Sequence, residues 1–151
     1  MSQSLTKIYV HIVFHVKNTS VRIIEGDRQH LYAYINTIIA DRESKLIEIN
    51  GTSDHIHILC QLSKNIALSK LVEDIKRHSS RWLKKYNVQY LNFAWQGGYA
   101  AFSVSQSVIE KTINYIRNQE EHHKKRSYKN EVELFLKEYG LDYDEKFFFS
   151  D

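Results

Sequence analysis

The order of two periodicities along the chain constrains its fold more than any other feature. Apolar residues alternate at the period of a strand in residues 8–17, 45–49, 54–62 and 99–104. They recur at helical spacing from Asp27, a suitable N-cap, to about Ser44, and again along residues 68–86. The order is therefore strand, helix, strand, strand, helix, strand. It predicts an α+β fold, a ferredoxin-like (split βαβ) antiparallel sheet with helices packed on it.

More helices are expected after the fourth strand. Ser107 is a suitable N-cap for a helix that carries Tyr115, and a short closing helix is expected over residues 131–139. The final aromatic run, residues 147–149, is expected to pack onto the body of the protein or onto a second copy of it.

Composition indicates an ordinary globular protein. The 151 residues are 42% hydrophobic and 26% charged, which predicts a single domain over residues 1–151. The one cysteine, Cys60, shares a strand face with Ile56 and Ile58 and is expected to be buried and reduced. The N-terminus does not resemble a signal peptide, and no window is apolar enough for a membrane span. We therefore expect a soluble, cytoplasmic protein without a membrane partner.

A pair of histidines on the third predicted strand is the first candidate site. Asn50-Gly51-Thr52-Ser53 has the composition of a hairpin turn, so His55 and His57 lie on the second arm of a hairpin. Because strand side chains alternate between faces, the two imidazoles project from the same face. Taken alone, two such histidines are equally compatible with polar positions on a half-solvated strand. They become a candidate metal pair only if another segment supplies a further ligand.

The segment around Tyr115 supplies that ligand. Helical spacing stacks Tyr115 and Gln119 one turn apart, on the shoulder of the apolar stripe of their helix. Tyr115 is then a candidate nucleophile and Gln119 a third, oxygen-bearing metal ligand. Imidazole nitrogen combined with amide oxygen suits Mg²⁺ or Mn²⁺, whereas a structural zinc site would require more nitrogen and sulfur ligands.

These motifs occur in the order found in a known family. The His-Ile-His motif, the segment from Trp95 to Ser105 and the Tyr-x-x-x-Gln of the following helix resemble the single-tyrosine HUH transposases of the insertion-sequence-200-like group. The resemblance runs from about Ile8 to the C-terminus.

The resemblance implies an enzyme that nicks and rejoins single-stranded DNA. Tyr115 would attack a phosphodiester and form a 5′-phosphotyrosine, while His55, His57 and Gln119 would hold Mg²⁺ or Mn²⁺. It further implies a homodimer that recognises DNA hairpins at the ends of a mobile element, in which the tyrosine helix can serve the metal site of the partner subunit.

Basic side chains are candidates for contacts to DNA phosphates. Some fall on one side of the second predicted helix and others follow the tyrosine helix, where the pair His122 and His123 is expected to belong mainly to a solvated, phosphate-binding edge. The same caution applies to His11 and His15, which share one face of the first strand. The candidate DNA-binding residues are Lys70, Arg77, Arg81, Lys84, His122, Lys124, Lys125 and Arg126.

Two alternatives remain open. A domesticated relative could process chromosomal palindromic repeats with the same chemistry. A non-catalytic domain that binds single-stranded nucleic acid could share the fold, although the first strand lacks the aromatic and glycine pattern of RNA-binding modules.

Overall fold

A four-stranded antiparallel sheet forms the centre of the computed structural model, which describes residues 2–149 except for the side chains of residues 146 and 147. The strands are β1 (Ile8–His15), β2 (Lys45–Gly51), β3 (His55–Leu62) and β4 (Ala100–Val104). Their order across the sheet is β2-β3-β1-β4, and every neighbouring pair is antiparallel. This is the ferredoxin-like arrangement that the sequence predicts.

Helices lie on both faces of this sheet. Within the part of the chain that is described, no helix is both long and apolar enough to cross a lipid bilayer. The helices are α1 (Arg28–Asp41), α2 (Leu68–Tyr86), α3 (Ile109–Arg117), α4 (Gln119–His123), α5 (Tyr128–Glu138) and α6 (Glu145–Phe148).

The first core lies between one face of the sheet and helices α1 and α2. The strands contribute alternate residues such as Ile12, Phe14 and Ile58, and the helices contribute residues such as Ile35 and Ile75, all fully buried. Cys60 is buried in this core, as its position in the alternation predicts. Because strand side chains alternate between the two faces, the histidines of β1 and β3 lie on the other face of the sheet.

The second face is covered by α3 and α5. Ile116 of α3 packs near Leu59, and Val132 of α5 packs near Val13 and Phe102. Both helices lie beyond the split βαβ unit in sequence. They close over the sheet face that carries the histidines.

Helix and turn boundaries differ locally from the sequence-based expectation. Ser107 does not cap α3, because a short 3₁₀ turn over residues 106–108 precedes the helix and no side chain caps its first residue. Asp27 precedes α1 as expected but makes no capping bond, since its carboxylate accepts the Tyr90 hydroxyl at 2.5 Å. The closing helix α5 begins at Tyr128, three residues before the predicted start.

The C-terminal aromatic run contacts the body of the protein. The rings of Phe148 and Phe149 pack against the apolar cluster that includes Val13, Phe102 and Val132. The carbonyl of Phe149 accepts a hydrogen bond from Asn18 at 3.1 Å. The side chain of Phe147 lies outside the described residues.

Gly51 is the end of β2 rather than the centre of the turn, and it is expected to be essential for the hairpin. Added to Gly51, a Cβ would lie 2.2 Å from the backbone oxygen of His55 and 2.9 Å from the Cα of Ile56. Backbone cannot yield as a flexible side chain does, so we expect Gly51→Ala to destabilise the protein by about 2 kcal/mol or more in urea unfolding. Gly26→Ala is the matched control because no atom lies within 4 Å of its new Cβ. Equal stability of both variants would contradict the prediction.

Candidate metal centre and nucleophile

The two histidines of β3 are completely buried beneath the helices that cover the second face of the sheet. His55 and His57 both have 0% exposure, and the register pairs them across β1 with His15 and Val13. The alternation of the strand places both side chains on this face, as predicted. The alternative, in which the two histidines are polar residues on a half-solvated strand, is therefore wrong, because neither side chain is exposed.

Three imidazole nitrogens converge on one carboxylate oxygen. The Nε2 atoms of His57, His123 and His55 lie 2.9, 3.1 and 3.7 Å from Oε1 of Glu131. One ligand atom from each of these four residues lies within 4.8 Å of every other. Such a cluster of nitrogen and oxygen donors is compact enough to surround a single cation.

The Nδ1 atoms of the two β3 histidines, which do not face Glu131, are each held by a contact with a neighbouring side chain. Nδ1 of His55 is 2.8 Å from Oδ1 of Asp54, and Nδ1 of His57 is 2.8 Å from Nε2 of His11. Hydrogen bonds of this kind orient the rings of metal-binding histidines and leave Nε2 directed at the site. The hydrogen bond to His55 also lowers the pKa of Asp54 to about 2, so this carboxylate is charged at neutral pH.

Burial keeps the neighbouring imidazoles neutral. Desolvation lowers the pKa of His57 to about 4 and that of His11 to about 3. Neutral imidazole is the form that binds a metal ion. At pH 7 neither ring would have to lose a proton first.

Gln119 joins the same cluster across an interruption of the helix. Helix α3 ends at Arg117, where the Asn50 side chain donates to its last two carbonyls, and α4 begins at Gln119. The side chain of Gln119 is buried, and its Oε1 lies 3.2 Å from Nε2 of His55. The amide oxygen therefore faces the same space as the imidazole nitrogens.

Tyr115 reaches the cluster through Glu131. Its hydroxyl donates a short hydrogen bond to Oε2 of Glu131, the second oxygen of the carboxylate that faces the histidines. Burial, and then this hydrogen bond, raise the pKa of Tyr115 well above its usual range. The ring of His122 stacks on Tyr115 with centroids 4.5 Å apart. The tyrosine hydroxyl and the candidate metal site are thus joined by one side chain.

Glu131 is ionised in this environment. Burial alone would raise the pKa of its carboxyl group, but hydrogen bonds with His123, His57 and Tyr115 hold it well below its ordinary value. A buried carboxylate surrounded by donors is stable in its charged form. It can act as a metal ligand and as the hydrogen-bond acceptor that orients the Tyr115 hydroxyl.

His123 and Glu131 were not singled out from the sequence as members of the site. The basic residues that follow His123 predict a solvated edge, and Glu131 is expected only as the first residue of the closing helix. The available signal was weak: Glu131 adjoins Val132 on the inner face of an amphipathic helix, where an acidic residue is rarely buried without a partner.

The predicted DNA-binding residues fall into two groups. Those of α2 lie on the opposite side of the sheet from the histidines, and Lys70 and Arg77 form ion pairs with the buried Asp74 at 3.1 and 3.3 Å. Those after α3 lie on the side of the histidines, where Lys124 pairs with Glu121. Contact of either group with DNA stays a prediction. The two groups comprise Lys70, Arg77, Arg81 and Lys84, and His122, Lys124, Lys125 and Arg126.

Comparison with known proteins identifies relatives of the chain. A family model described as "Transposase IS200 like" matches residues 4–119. The crystal structure of a candidate transposase from Deinococcus radiodurans R1 aligns with a TM-score of 0.60 at 17% identity, covering 79% of this chain and 98% of the other. A REP-associated tyrosine transposase bound to a REP hairpin aligns with a TM-score of 0.57 at 15% identity, covering 78% of this chain and 72% of the other. No functionally curated protein matches significantly.

The two solved structures and the family match give different information about the site. At such identities the two structures establish a common fold. The family match extends over His55, His57, Tyr115 and Gln119, and it ends before His123 and Glu131.

Proposed function

Because the chain belongs to the family of IS200-like transposases, we propose that it nicks and rejoins single-stranded DNA at hairpin-marked ends through a 5′-phosphotyrosine intermediate. The observation that carries this proposal is the continuous contact from the Tyr115 hydroxyl through Glu131 to the imidazoles of His55 and His57. A nucleophile and a candidate metal site within one side chain of each other support phosphoryl transfer.

In the proposed step, the Tyr115 oxygen attacks the phosphorus atom and the bond from phosphorus to the 3′ oxygen breaks. Oε2 of Glu131 accepts the hydrogen bond of the hydroxyl and so orients the tyrosine oxygen, and the phenolic proton passes to solvent. The leaving 3′ oxygen takes a proton from solvent and becomes a free 3′-OH. When a 3′-OH attacks the phosphotyrosine, the bond from phosphorus to the tyrosine oxygen breaks, the 3′-OH releases its proton to solvent, and the departing tyrosine oxygen takes a proton from solvent.

The donor set fits a divalent ion. His55, His57 and Gln119 are the proposed ligands, and His123 and Glu131 are placed to complete the set. When bound, the ion would polarise the phosphate and stabilise the charge that develops during displacement. Three imidazoles favour a transition metal, so we propose that Mn²⁺ binds more tightly than Mg²⁺.

A second candidate function shares this chemistry. One structure of the same fold is a REP-associated tyrosine transposase bound to a REP hairpin. We therefore keep the processing of chromosomal palindromic repeats as the alternative. Inverted repeats flanking the gene itself would favour a mobile element, whereas dispersed palindromes elsewhere in the genome would favour the alternative.

The proposed arrangement of subunits is a homodimer. Within one chain, Tyr115 contacts Glu131, and the exchange experiment described in the Discussion tests which subunit's histidines the tyrosine serves. Light scattering after gel filtration measures the oligomeric state.

We expect DNA binding to be selective for structure. A single-stranded hairpin from the end of the element, or from a palindromic repeat, should bind more tightly than the fully paired duplex of the same sequence. This preference should survive as salt is raised, because non-specific phosphate contacts weaken steeply with ionic strength. Fluorescence anisotropy over a salt series measures both affinities. Equal affinity for hairpin and duplex would overturn the proposed substrate.

A further inference from the structure

A groove between α3 and α5 leads from the protein surface to the candidate nucleophile. Its volume is about 840 Å³, and its inner end is formed by Tyr115, Glu131 and His11. Known binding sites for small organic ligands have volumes of about 300 to 1,000 Å³, so the groove can hold a short stretch of chain or a ligand of that size. A molecule in the groove would reach the Tyr115 hydroxyl without any rearrangement of the sheet.

The walls of the groove are apolar and partly open to solvent. Val108, Leu134 and Tyr139 line it with 40%, 48% and 43% of their surfaces exposed. Phe135 also lines it and is held in place by stacking on Phe102, with centroids 5.2 Å apart. Aromatic rings fixed by packing and open on one side are suitable surfaces for the faces of nucleobases.

The rim of the groove is basic. Lys111, Arg126 and Lys137 are exposed and line the groove with two carboxylates, Glu138 at the surface and the buried Glu131 at the inner end. Within residues 2–149, none of the three cations forms an ion pair with an acidic side chain, unlike Lys70 and Arg77 of α2. Unpaired cations beside apolar walls are complementary to a polymer that carries both phosphates and flat bases.

We propose that this groove binds the single-stranded nucleotides next to the scissile phosphate. Bases pack against Phe135 and Tyr139, and phosphates contact Lys111, Arg126 and Lys137. This assignment rests on the proposed function, since it takes Tyr115 to be the nucleophile.

The test uses the full chain without metal, so that no cleavage occurs, and the tetranucleotide dT4 as the probe. We expect Lys111→Glu with Lys137→Glu to weaken dT4 binding by about tenfold or more in titration calorimetry. Tyr139→Ala should weaken it by about fivefold or more through loss of stacking. Lys64→Glu with Lys85→Glu is the matched control, because both lysines are exposed outside the groove and the net charge changes equally.

Each outcome decides the proposal. Weakening confined to the groove variants supports it, provided that circular dichroism shows them folded. Equal weakening in the control variant, or none in the groove variants, overturns it. Binding of dTMP as tight as that of dT4 also overturns it, because the groove would then be a mononucleotide site. Groove-dependent dT4 binding without any covalent hairpin adduct would reject the proposed function and leave the binding surface intact.

Discussion

Replacement of Tyr115 by phenylalanine is expected to abolish both strand cleavage and the covalent DNA adduct while hairpin binding persists. The substitution removes only the hydroxyl that contacts Glu131, and this hydroxyl is the proposed attacking oxygen. Glu131 keeps its hydrogen bonds to His57 and His123, so the loss of stability should be about 1 to 2 kcal/mol. The measurement is denaturing electrophoresis of protein incubated with Mn²⁺ and an end-labelled hairpin.

In the protein without the substitution, mass spectrometry of the covalent DNA adduct identifies which tyrosine is the nucleophile. Tyr128 is the closest rival, because its ring lies 4.9 Å from that of His55, although its hydroxyl is directed towards Gln96. Tyr99 packs against the first core, on the other side of the sheet. A DNA-bearing peptide that contains Tyr128 would reject Tyr115 and leave the family membership intact.

Loss of the histidine pair is expected to eliminate metal binding. Alanine at both positions would leave the buried carboxylate of Glu131 with fewer partners, which is strongly destabilising, so glutamine variants are the better probes. We expect His55→Gln with His57→Gln to weaken Mn²⁺ binding, measured by titration calorimetry, by more than about 100-fold. Metal-dependent cleavage should disappear with it.

His30→Gln is the control for this prediction, since His30 is exposed on α1. Undiminished Mn²⁺ affinity in the glutamine double variant would reject the proposed metal site. Mixing this variant with Tyr115→Phe then tests the subunit arrangement. If Tyr115 serves its own histidines, the mixture stays inactive, whereas recovered cleavage would mean that the tyrosine acts on the partner subunit.

The sequence alone was sufficient for features that depend on periodicity within one element. The alternation of β3 decides that His55 and His57 share a face and that Cys60 lies on the other. The ferredoxin-like order of elements follows from the positions at which the apolar residues change from the strand period to the helical period and back. Helical spacing also relates Tyr115 to Gln119, because the break at Asn118 keeps the hydrogen bond from Asn118 N–H to the Asn114 carbonyl and so preserves the register.

Only the tertiary structure decided which distant elements meet at the site. Glu131 lies 74 residues from His57 in sequence, and no local pattern specifies that α5 packs over that part of the sheet. The same packing brings His123 to the site, although the basic residues beside it in sequence predict a solvated edge. Periodicity fixes the face on which a side chain lies. Burial of the apolar faces of α3 and α5 against the sheet fixes which side chains are brought together, and these contacts depend on the whole chain.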